Sequence, residues 1–283
     1  MSGPSFTLAD RRARVAAVAF CAGILALVAG CSAGAASSTG ASAKPTSPRT
    51  ALLLAAEQTG KLDTMAASYT AQTNGSQTLA STILVQYKPA LLIKAVANVE
   101  ASGQSLHITE IVSSKAMYLK MAELSKEAGK PWVEIPFSEL KGSAGAVFSQ
   151  LLQNVQNNPQ QQAKMLTASK NVRSLGTHTI DGVATTEYTG SYTTASALAM
   201  LSPSQRKVLG PELTQLTGPI RFSDWIDAQH QVRRTVITES VSGQQITLTT
   251  NTTAINQPVN IKLPPRRRVA LIPAGSLIPA GSL

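Results

Sequence analysis

The chain has 283 residues, a formal net charge of +10 and a pI near 9.8, and its positive charge is concentrated towards the two ends. Its two cysteines, Cys21 and Cys31, lie close to the amino terminus, so the remainder can hold no disulfide, thiolate nucleophile, zinc–thiolate or iron–sulfur site. Basic ends around a nearly neutral body suit anionic lipid headgroups better than a nucleic-acid groove. We therefore expect no nucleic-acid partner, and no cofactor.

The first 30 residues have the pattern of a secretory signal. Residues 11–14 carry three arginines, and the apolar run at 15–28 is too short to cross a ~30 Å hydrocarbon core as a helix. Residues 28–31, Val-Ala-Gly-Cys, resemble a bacterial lipobox, in which the cysteine receives diacylglycerol and the signal is cut before it. We expect Cys31 to be lipidated and to hold the protein at the outer face of the cytoplasmic membrane. The alternative is an ordinary signal peptide with an incidental cysteine.

Three further regions follow the signal. Residues 31–49 are mostly small and polar, which predicts a flexible tether reaching only ~25 Å from the bilayer. Residues 50–264 carry strand and helix patterns and are expected to form one folded domain. Residues 265–283 begin with basic residues and end in a repeated Ile-Pro-Ala-Gly-Ser-Leu, so we expect a basic, low-complexity, disordered tail.

The folded domain opens with a helix over residues 50–60, with Thr50 as its N-cap. The apolar period then changes to two, which predicts strands, and Asn74-Gly75 and Asp181-Gly182 predict hairpin turns. The expected strands are 65–73, 78–87, 91–100, 105–112, 116–121, 132–136, 172–180, 183–192, 220–226, 232–240 and 244–253. Helical inserts are expected at 144–168 and 195–216.

These elements predict an α+β fold. About ten antiparallel strands with one apolar face need a cover, which the short helices supply. Two arrangements remain open from the residues alone. Sheet and helices either pack into a filled core or stand apart around an aliphatic cavity.

No stretch predicts a catalytic site, so we expect no enzyme. Residues 30–34, Gly-Cys-Ser-Ala-Gly, match the serine-hydrolase pattern but lack the strand and helix that would form its elbow. Asp224 and Asp227 are three apart on a strand and hence on opposite faces, and Asp227 is expected to cap a turn. All three histidines fall on expected strands or turns without metal or catalytic spacing: His107, His178 and His230.

Two stretches resemble the LppX/LprG-type lipoproteins of actinobacterial envelopes, relatives in fold of the LolA/LolB carriers. They are residues 175–188, Leu-Gly-Thr-His-Thr-Ile-Asp-Gly-Val-Ala-Thr-Thr-Glu-Tyr, and 225–228, Trp-Ile-Asp-Ala, followed by the strand that carries Arg233 and Arg234. The resemblance implies a curved antiparallel β half-barrel whose concave, apolar face is covered by short α-helices. It also implies a cavity that binds acyl chains of a lipid or lipoglycan.

The same resemblance implies a membrane-anchored protein that carries or presents this lipid in the cell envelope, with an envelope transporter as a further partner. The alternative is a surface-anchored interaction or sensor module with a filled core and no lipid cargo. From the alternation of apolar residues, the cavity-facing positions on strands are Ile83, Val85, Leu91, Ile93, Ala97, Val99, Met117 and Leu119. Those on the helical cover are Val147, Leu151 and Val155.

Overall fold

The computed structural model describes residues 47–101, 103–139, 169, 171–200, 203, 206 and 216–271. These residues form one twelve-stranded sheet with short helices. The strands are β1 (Thr64–Thr73), β2 (Ser76–Gln86), β3 (Leu92–Ala101), β4 (Gln104–Ser113), β5 (Ala116–Lys120), β6 (Trp132–Pro136), β7 (Arg173–Ile180), β8 (Val183–Tyr192), β9 (Ile220–Asp227), β10 (Val232–Val241), β11 (Gln244–Ile255) and β12 (Val269–Leu271). The helices are α1 (Pro48–Thr59), α2 (Ala122–Ala128) and α3 (Thr194–Met200), with 3₁₀ turns at Phe137–Glu139 and Arg266–Arg268.

The strand order across the sheet is β12-β6-β5-β4-β3-β2-β1-β11-β10-β9-β8-β7. The sheet is unclosed, with β12 and β7 at its edges, and every neighbouring pair is antiparallel except β12 with β6. The expected α+β class, a curved antiparallel sheet with few helices, is confirmed. Each strand expected from the sequence is present to within about two residues at either end.

Three hairpins owe their register to two-residue turns in which both residues have positive φ. Asn74 and Gly75 lie at φ 50° and 83°, Asp181 and Gly182 at 47° and 80°, and Ser242-Gly243 at 50° and 81°. This is the conformation whose twist matches the right-handed twist of the flanking strands. The local sequence therefore sets which residues face each other across these strand pairs.

The carboxyl-terminal tail, for which the sequence predicts disorder, carries secondary structure in residues 266–271. Arg266–Arg268 form a 3₁₀ turn, and Val269–Leu271 add a parallel strand to β6. Backbone hydrogen bonds to the free edge of β6 account for this short strand. The sequence does not indicate it, because three residues are too few to show the alternation typical of a strand.

Two helix predictions are also revised. Ser47, and not Thr50, caps α1: its hydroxyl accepts from Thr50 N at 3.2 Å, and Pro48 takes the first helical position. Helix α2 was not expected, although it consists of good helix formers and ends at Gly129 in the left-handed conformation. The insert at 144–168 lies outside the described residues, and α3 confirms only the start of the insert at 195–216.

The two faces of the sheet differ in chemistry. One face carries the side chains of Met65, Ile83, Ile93 and Leu119, which belong to one buried cluster across β1 to β6, and we call it the inner face. A second cluster joins Leu52 and Ala55 of α1 to Phe222 of β9 and its neighbours, so α1 covers the inner face at β9 and β10. No helix among the described residues is long and apolar enough to span a membrane.

The turn between β9 and β10 is held by a buried carboxylate, as expected from the sequence. Asp227 Oδ1 accepts hydrogen bonds from the backbone N–H groups of Gln229 and Gln231 at 2.9 and 2.8 Å. Its Oδ2 accepts from Arg233 Nε at 2.7 Å. Asp227 is therefore a structural residue, and its neighbour Asp224 faces the opposite side of the sheet.

Replacing Gly190 of β8 by alanine is expected to lower the free energy of unfolding by about 1–3 kcal/mol. An added methyl would meet Ser169 Oγ at 2.6 Å and the Phe222 ring at 2.7 Å. Urea unfolding followed by circular dichroism measures the loss. Phe222→Leu removes the ring, so the double variant should lose less than the sum of the two single losses; strictly additive losses would contradict this explanation.

Candidate functional site on the inner face of the sheet

The residues expected to face a cavity lie together on the inner face. Seven are buried in the cluster across β1 to β6, and they are at most 7% exposed: Ile83, Val85, Leu91, Ile93, Ala97, Met117 and Leu119. Val99 is half-buried at the border of this cluster. The other predicted positions, Cys31, Val147, Leu151 and Val155, lie outside the described residues. The alternation thus placed the described residues on a common face, and their contact with a ligand stays a prediction.

A continuous band of half-buried apolar side chains crosses the inner face beside this cluster. Strand register joins its members in one row from β10 to β4, each paired with the next. We call it the apolar band, and it consists of Ile237, Leu248, Ala71, Leu79, Val99 and Leu106. At ~4.8 Å per strand, this row is about 24 Å long. It offers a partly accessible apolar surface on one face of the sheet.

A row of polar side chains lies beside the apolar band, two residues away from it on each of the four strands that both rows share, β10, β11, β1 and β2. It also follows the register from strand to strand. We call it the polar row, and it consists of Tyr188, Asp224, Thr235, Thr250, Tyr69 and Ser81. Asp224, Thr250, Tyr69 and Ser81 are each at most 7% exposed. Two residues of strand separate the rows by about 7 Å, so apolar and hydrogen-bonding groups alternate in parallel rows.

Asp224 is the carboxylate of the polar row. Thr235 donates its hydroxyl to Asp224 Oδ1 at 2.6 Å. Burial raises the pKa of Asp224 to about 6, and the bond from Thr235 acts in the opposite direction. Asp224 Oδ2, Ser81 Oγ and Thr252 Oγ1 are buried and have no hydrogen-bond partner among the described residues. Such groups are ordinarily paired, so the inner face has unused hydrogen-bonding capacity.

Other ionisable groups of the inner face are also affected by burial. The pKa of Tyr192 is raised to about 12, first by burial and then by the carboxylates of Glu239 and Asp224. Burial, with Glu239 as a second cause, raises the pKa of Tyr69, and burial raises that of Glu239 itself. The phenols therefore stay protonated near neutral pH and act as hydrogen-bond donors or acceptors.

The histidines lie away from the polar row. On the outer face, His107 Nδ1 lies 2.9 Å from Asn98 Oδ1, and His178 Nε2 lies 3.2 Å from Glu187 Oε2. His230 occupies the turn that Asp227 caps. Within the described part of the chain, no group of three or more His, Cys, Asp or Glu side chains could hold a metal ion. The inner face thus combines apolar contact with hydrogen bonding, which is the chemistry of binding an amphiphile.

Comparison with known proteins gives two negative results and several structural likenesses. No family model matches the chain, and no curated protein matches it. The chain is similar to the crystal structure of the lipoprotein LppX of Mycobacterium tuberculosis, with 19% identity, 76% of this chain and 98% of that chain covered, and a TM-score of 0.47. LppX is the type of lipoprotein that the sequence resemblance names.

Two further structures are similar to the chain. LprF from Mycobacterium bovis has 17% identity, a TM-score of 0.49, and 77% of this chain and 96% of its own covered. A domain of an outer membrane lipoprotein-sorting protein from Vibrio parahaemolyticus has 7% identity and a TM-score of 0.26, with 72% of this chain and 90% of that chain covered. Because all three TM-scores lie below 0.5, the fold class rests on the chain's own sheet.

Sequence reasoning missed most of the apolar band and the polar row. Leu79 lies on an expected strand at the parity of Ile83 and Val85, so extending the alternation by two steps would have found it, whereas Leu106 is the cross-strand partner of Val99 on a strand for which no cavity position was predicted. Asp224 was recognised as facing away from Asp227, but nothing in its neighbours along the chain indicates a row that spans six strands. Only the register between distant strands brings Asp224 and Tyr69 into one line.

The raised pKa of Asp224 predicts a specific dependence of stability on pH. The folded-state pKa of about 6 lies above the ordinary value of 3.8, so the folded state binds the proton more tightly. Asp224 therefore favours folding below pH ~4, and this contribution is lost as the pH rises through about 6. In Asp224→Asn, the free energy of unfolding should fall less between pH 4 and 7 than in the wild type.

Chemical unfolding at pH 4, 5, 6 and 7 measures this effect. Asp181→Asn is the matched control, because Asp181 is an exposed residue of a hairpin turn. The same change there should leave the pH dependence of the free energy of unfolding as it is in the wild type. If the free energy of unfolding changed equally with pH in the wild type and in Asp224→Asn, Asp224 would not titrate as its burial requires.

Proposed function

We propose that the chain is a membrane-anchored extracytoplasmic lipoprotein that binds the acyl chains of a lipid or lipoglycan on the inner face of its sheet. It carries or presents this lipid in the cell envelope, at the outer face of the cytoplasmic membrane, and passes it to or from an envelope transporter. The observation that carries the proposal is the apolar band, a partly accessible apolar row about 24 Å long beside the polar row.

The energetics of the apolar band support an acyl chain as ligand. Each methylene that leaves water for an apolar surface contributes ~0.8 kcal/mol, so a few contacts along the band give substantial affinity. The neighbouring hydroxyl groups of Tyr69 and Ser81 lie about 7 Å away, within reach of an ester or hydroxyl group attached to the chain. An amphiphile satisfies both rows at once, whereas a plain hydrocarbon satisfies only one.

The proposed location rests on the lipobox at residues 28–31. Acyl chains on Cys31 would hold the folded domain within the ~25 Å reach of the tether, next to the bilayer that supplies the cargo. A ligand with two acyl chains does not cross water by itself. A carrier tethered beside its source therefore makes physical sense.

A second candidate function is a surface-anchored interaction or sensor module with a filled core. The close burial of Ile83, Val85, Ile93 and Ala97, each at most 2% exposed, favours it, because side chains that line an open cavity retain some accessible surface. The two candidates differ in whether lipid accompanies the native protein. Mass spectrometry of organic extracts of the purified chain distinguishes them.

Leu79→Gln is expected to weaken binding of a fluorescent fatty acid about tenfold, because it places an amide in the middle of the apolar band. Displacement titrations measure the change. Ala80→Gln is the matched control, since Ala80 is the next residue of β2 and faces the outer side. Equal binding by both variants, or no binding by the wild type, would count against the carrier function.

Cys31→Ala should release the folded domain from the membrane without unfolding it, because only the acyl anchor is removed. Fractionation of cells into membrane and soluble parts, with a circular dichroism spectrum of the released protein, tests this. Persistence of Cys31→Ala in the membrane fraction after a high-salt wash would contradict the anchor.

A further inference from the structure

A groove of about 400 Å³ lies on the outer face of the sheet, opposite the apolar face described above. Its floor is formed by alternate residues of β3, β4 and β5 together with Trp132 of β6. Asn260 and Lys262 of the segment after β11 form its opposite wall. None of these residues belongs to the apolar band or to the polar row.

The wall is formed by residues 256–265, which we call the strap. The strap leaves β11 beside β1 and reaches β12 beside β6, so it crosses all the strands between, a distance of about 34 Å. Its start is fixed by Asn256 Oδ1, which accepts from Asp63 N at 2.9 Å, and by Thr64 Oγ1, which donates to Gln257 O at 2.6 Å. Ile261 of the strap is buried, and so is Ile111 on the groove floor.

Three lysines converge on this groove: Lys94 from β3, Lys120 from β5 and Lys262 from the strap. No carboxylate is among the described residues that line it. None of the three ammonium groups makes an ion pair or a hydrogen bond with a residue that the structure describes. Three converging like charges repel one another, so an anion placed between them relieves an unfavourable arrangement.

One carboxylate and one guanidinium group lie close to the groove. Glu134 is the adjacent carboxylate on β6, and it accepts a hydrogen bond from the Tyr118 hydroxyl at 3.2 Å. Burial and Glu134 raise the pKa of Tyr118, whereas the Arg266 guanidinium acts in the opposite direction. Arg266 therefore lies close enough to act on this part of the outer face, beyond the three lysines that line the groove.

We propose that this groove binds a phosphate ester, with the phosphate held by Lys94, Lys120 and Lys262 and the organic part lying on Trp132 and Ile111. Lysine ammonium groups bind phosphate as point charges, and the apolar and aromatic floor suits an attached ring or chain. A volume of about 400 Å³ exceeds that of a bare phosphate ion and is typical of small-molecule sites. The site is independent of lipid binding on the inner face.

Trp132 provides a direct measurement of binding. The chain has two tryptophans, so Trp225→Phe leaves Trp132 as the only one. We expect phenyl phosphate to change the emission of Trp132 with a saturable dependence on concentration, and phenol, which lacks the phosphate, to have little effect. Raising the sodium chloride concentration should weaken the phenyl phosphate response.

Substitutions with a matched control locate the response. In the Trp225→Phe chain, Lys120→Gln should weaken phenyl phosphate binding about threefold. Lys115→Gln removes the same charge from an exposed lysine outside the groove and should leave the affinity unchanged. Combined replacement of Lys94, Lys120 and Lys262 by glutamine should abolish the saturable response. Equal effects of Lys120→Gln and Lys115→Gln, or equal responses to phenol and phenyl phosphate, would overturn the proposal.

Vesicles distinguish the two sources of a phosphate ester. The Cys31→Ala, Trp225→Phe chain is mixed with vesicles of phosphatidylcholine, with or without phosphatidylglycerol. A Trp132 response to phosphatidylglycerol that Lys120→Gln weakens assigns the groove to a phospholipid headgroup. A response to phenyl phosphate alone assigns it to a soluble organic phosphate, and no response to either refutes the site. Fatty-acid displacement is measured separately, so failure here leaves the inner-face function untouched.

Discussion

Every strand of an open antiparallel sheet sends alternate side chains to opposite faces, and the organisation of this protein depends on that constraint. A slip of one residue in any strand would exchange the two faces. The positive-φ turns at Asn74-Gly75, Asp181-Gly182 and Ser242-Gly243 prevent such slips locally. Because the register continues from strand to strand, residues on the same face line up in rows across the sheet. These rows determine the chemistry of each face.

The inner face places an apolar surface and a row of hydrogen-bonding groups side by side. The apolar band favours contact with hydrocarbon, whereas the polar row places the hydroxyl groups of Tyr69 and Ser81 about 7 Å away and continues to the buried Asp224 carboxyl. The burial that raises the pKa of Asp224 also lowers stability near neutral pH. The proposed amphiphilic ligand would contact both rows, since its chain and its polar group need adjacent surfaces.

The outer face has its own feature, which is the strap of residues 256–265. The strap crosses it from β11 to β12 and brings Lys262 to the same groove as Lys94 and Lys120. The carboxyl-terminal residues thereby serve a structural purpose, because β12 protects the β6 edge from pairing with another chain. Under the proposed anchoring near a bilayer, anionic phosphate groups would be available to this basic groove.

Much of the fold could be predicted from the sequence, because the periodicity of apolar residues and the turn residues are local signals. They placed the strands, the Asp227 cap and the common face of Ile83, Ile93 and Leu119. The site could be predicted only in part. Val99 was expected, whereas Leu248, Tyr69 and the rest of the two rows depend on pairing between β1 and β11, which are far apart in the chain.

The sequence by itself predicts an export signal and a cysteine suited to lipidation, and it determined the two-sided strands, since each depends on residues that are neighbours along the chain. Tertiary structure decided that Asp224 joins Tyr69 in one row, that residues 266–271 complete a sheet edge, and that three distant lysines share one groove. These features arise from contacts between segments separated by many residues. Such contacts follow from strand order and register across the whole sheet, which no local pattern specifies.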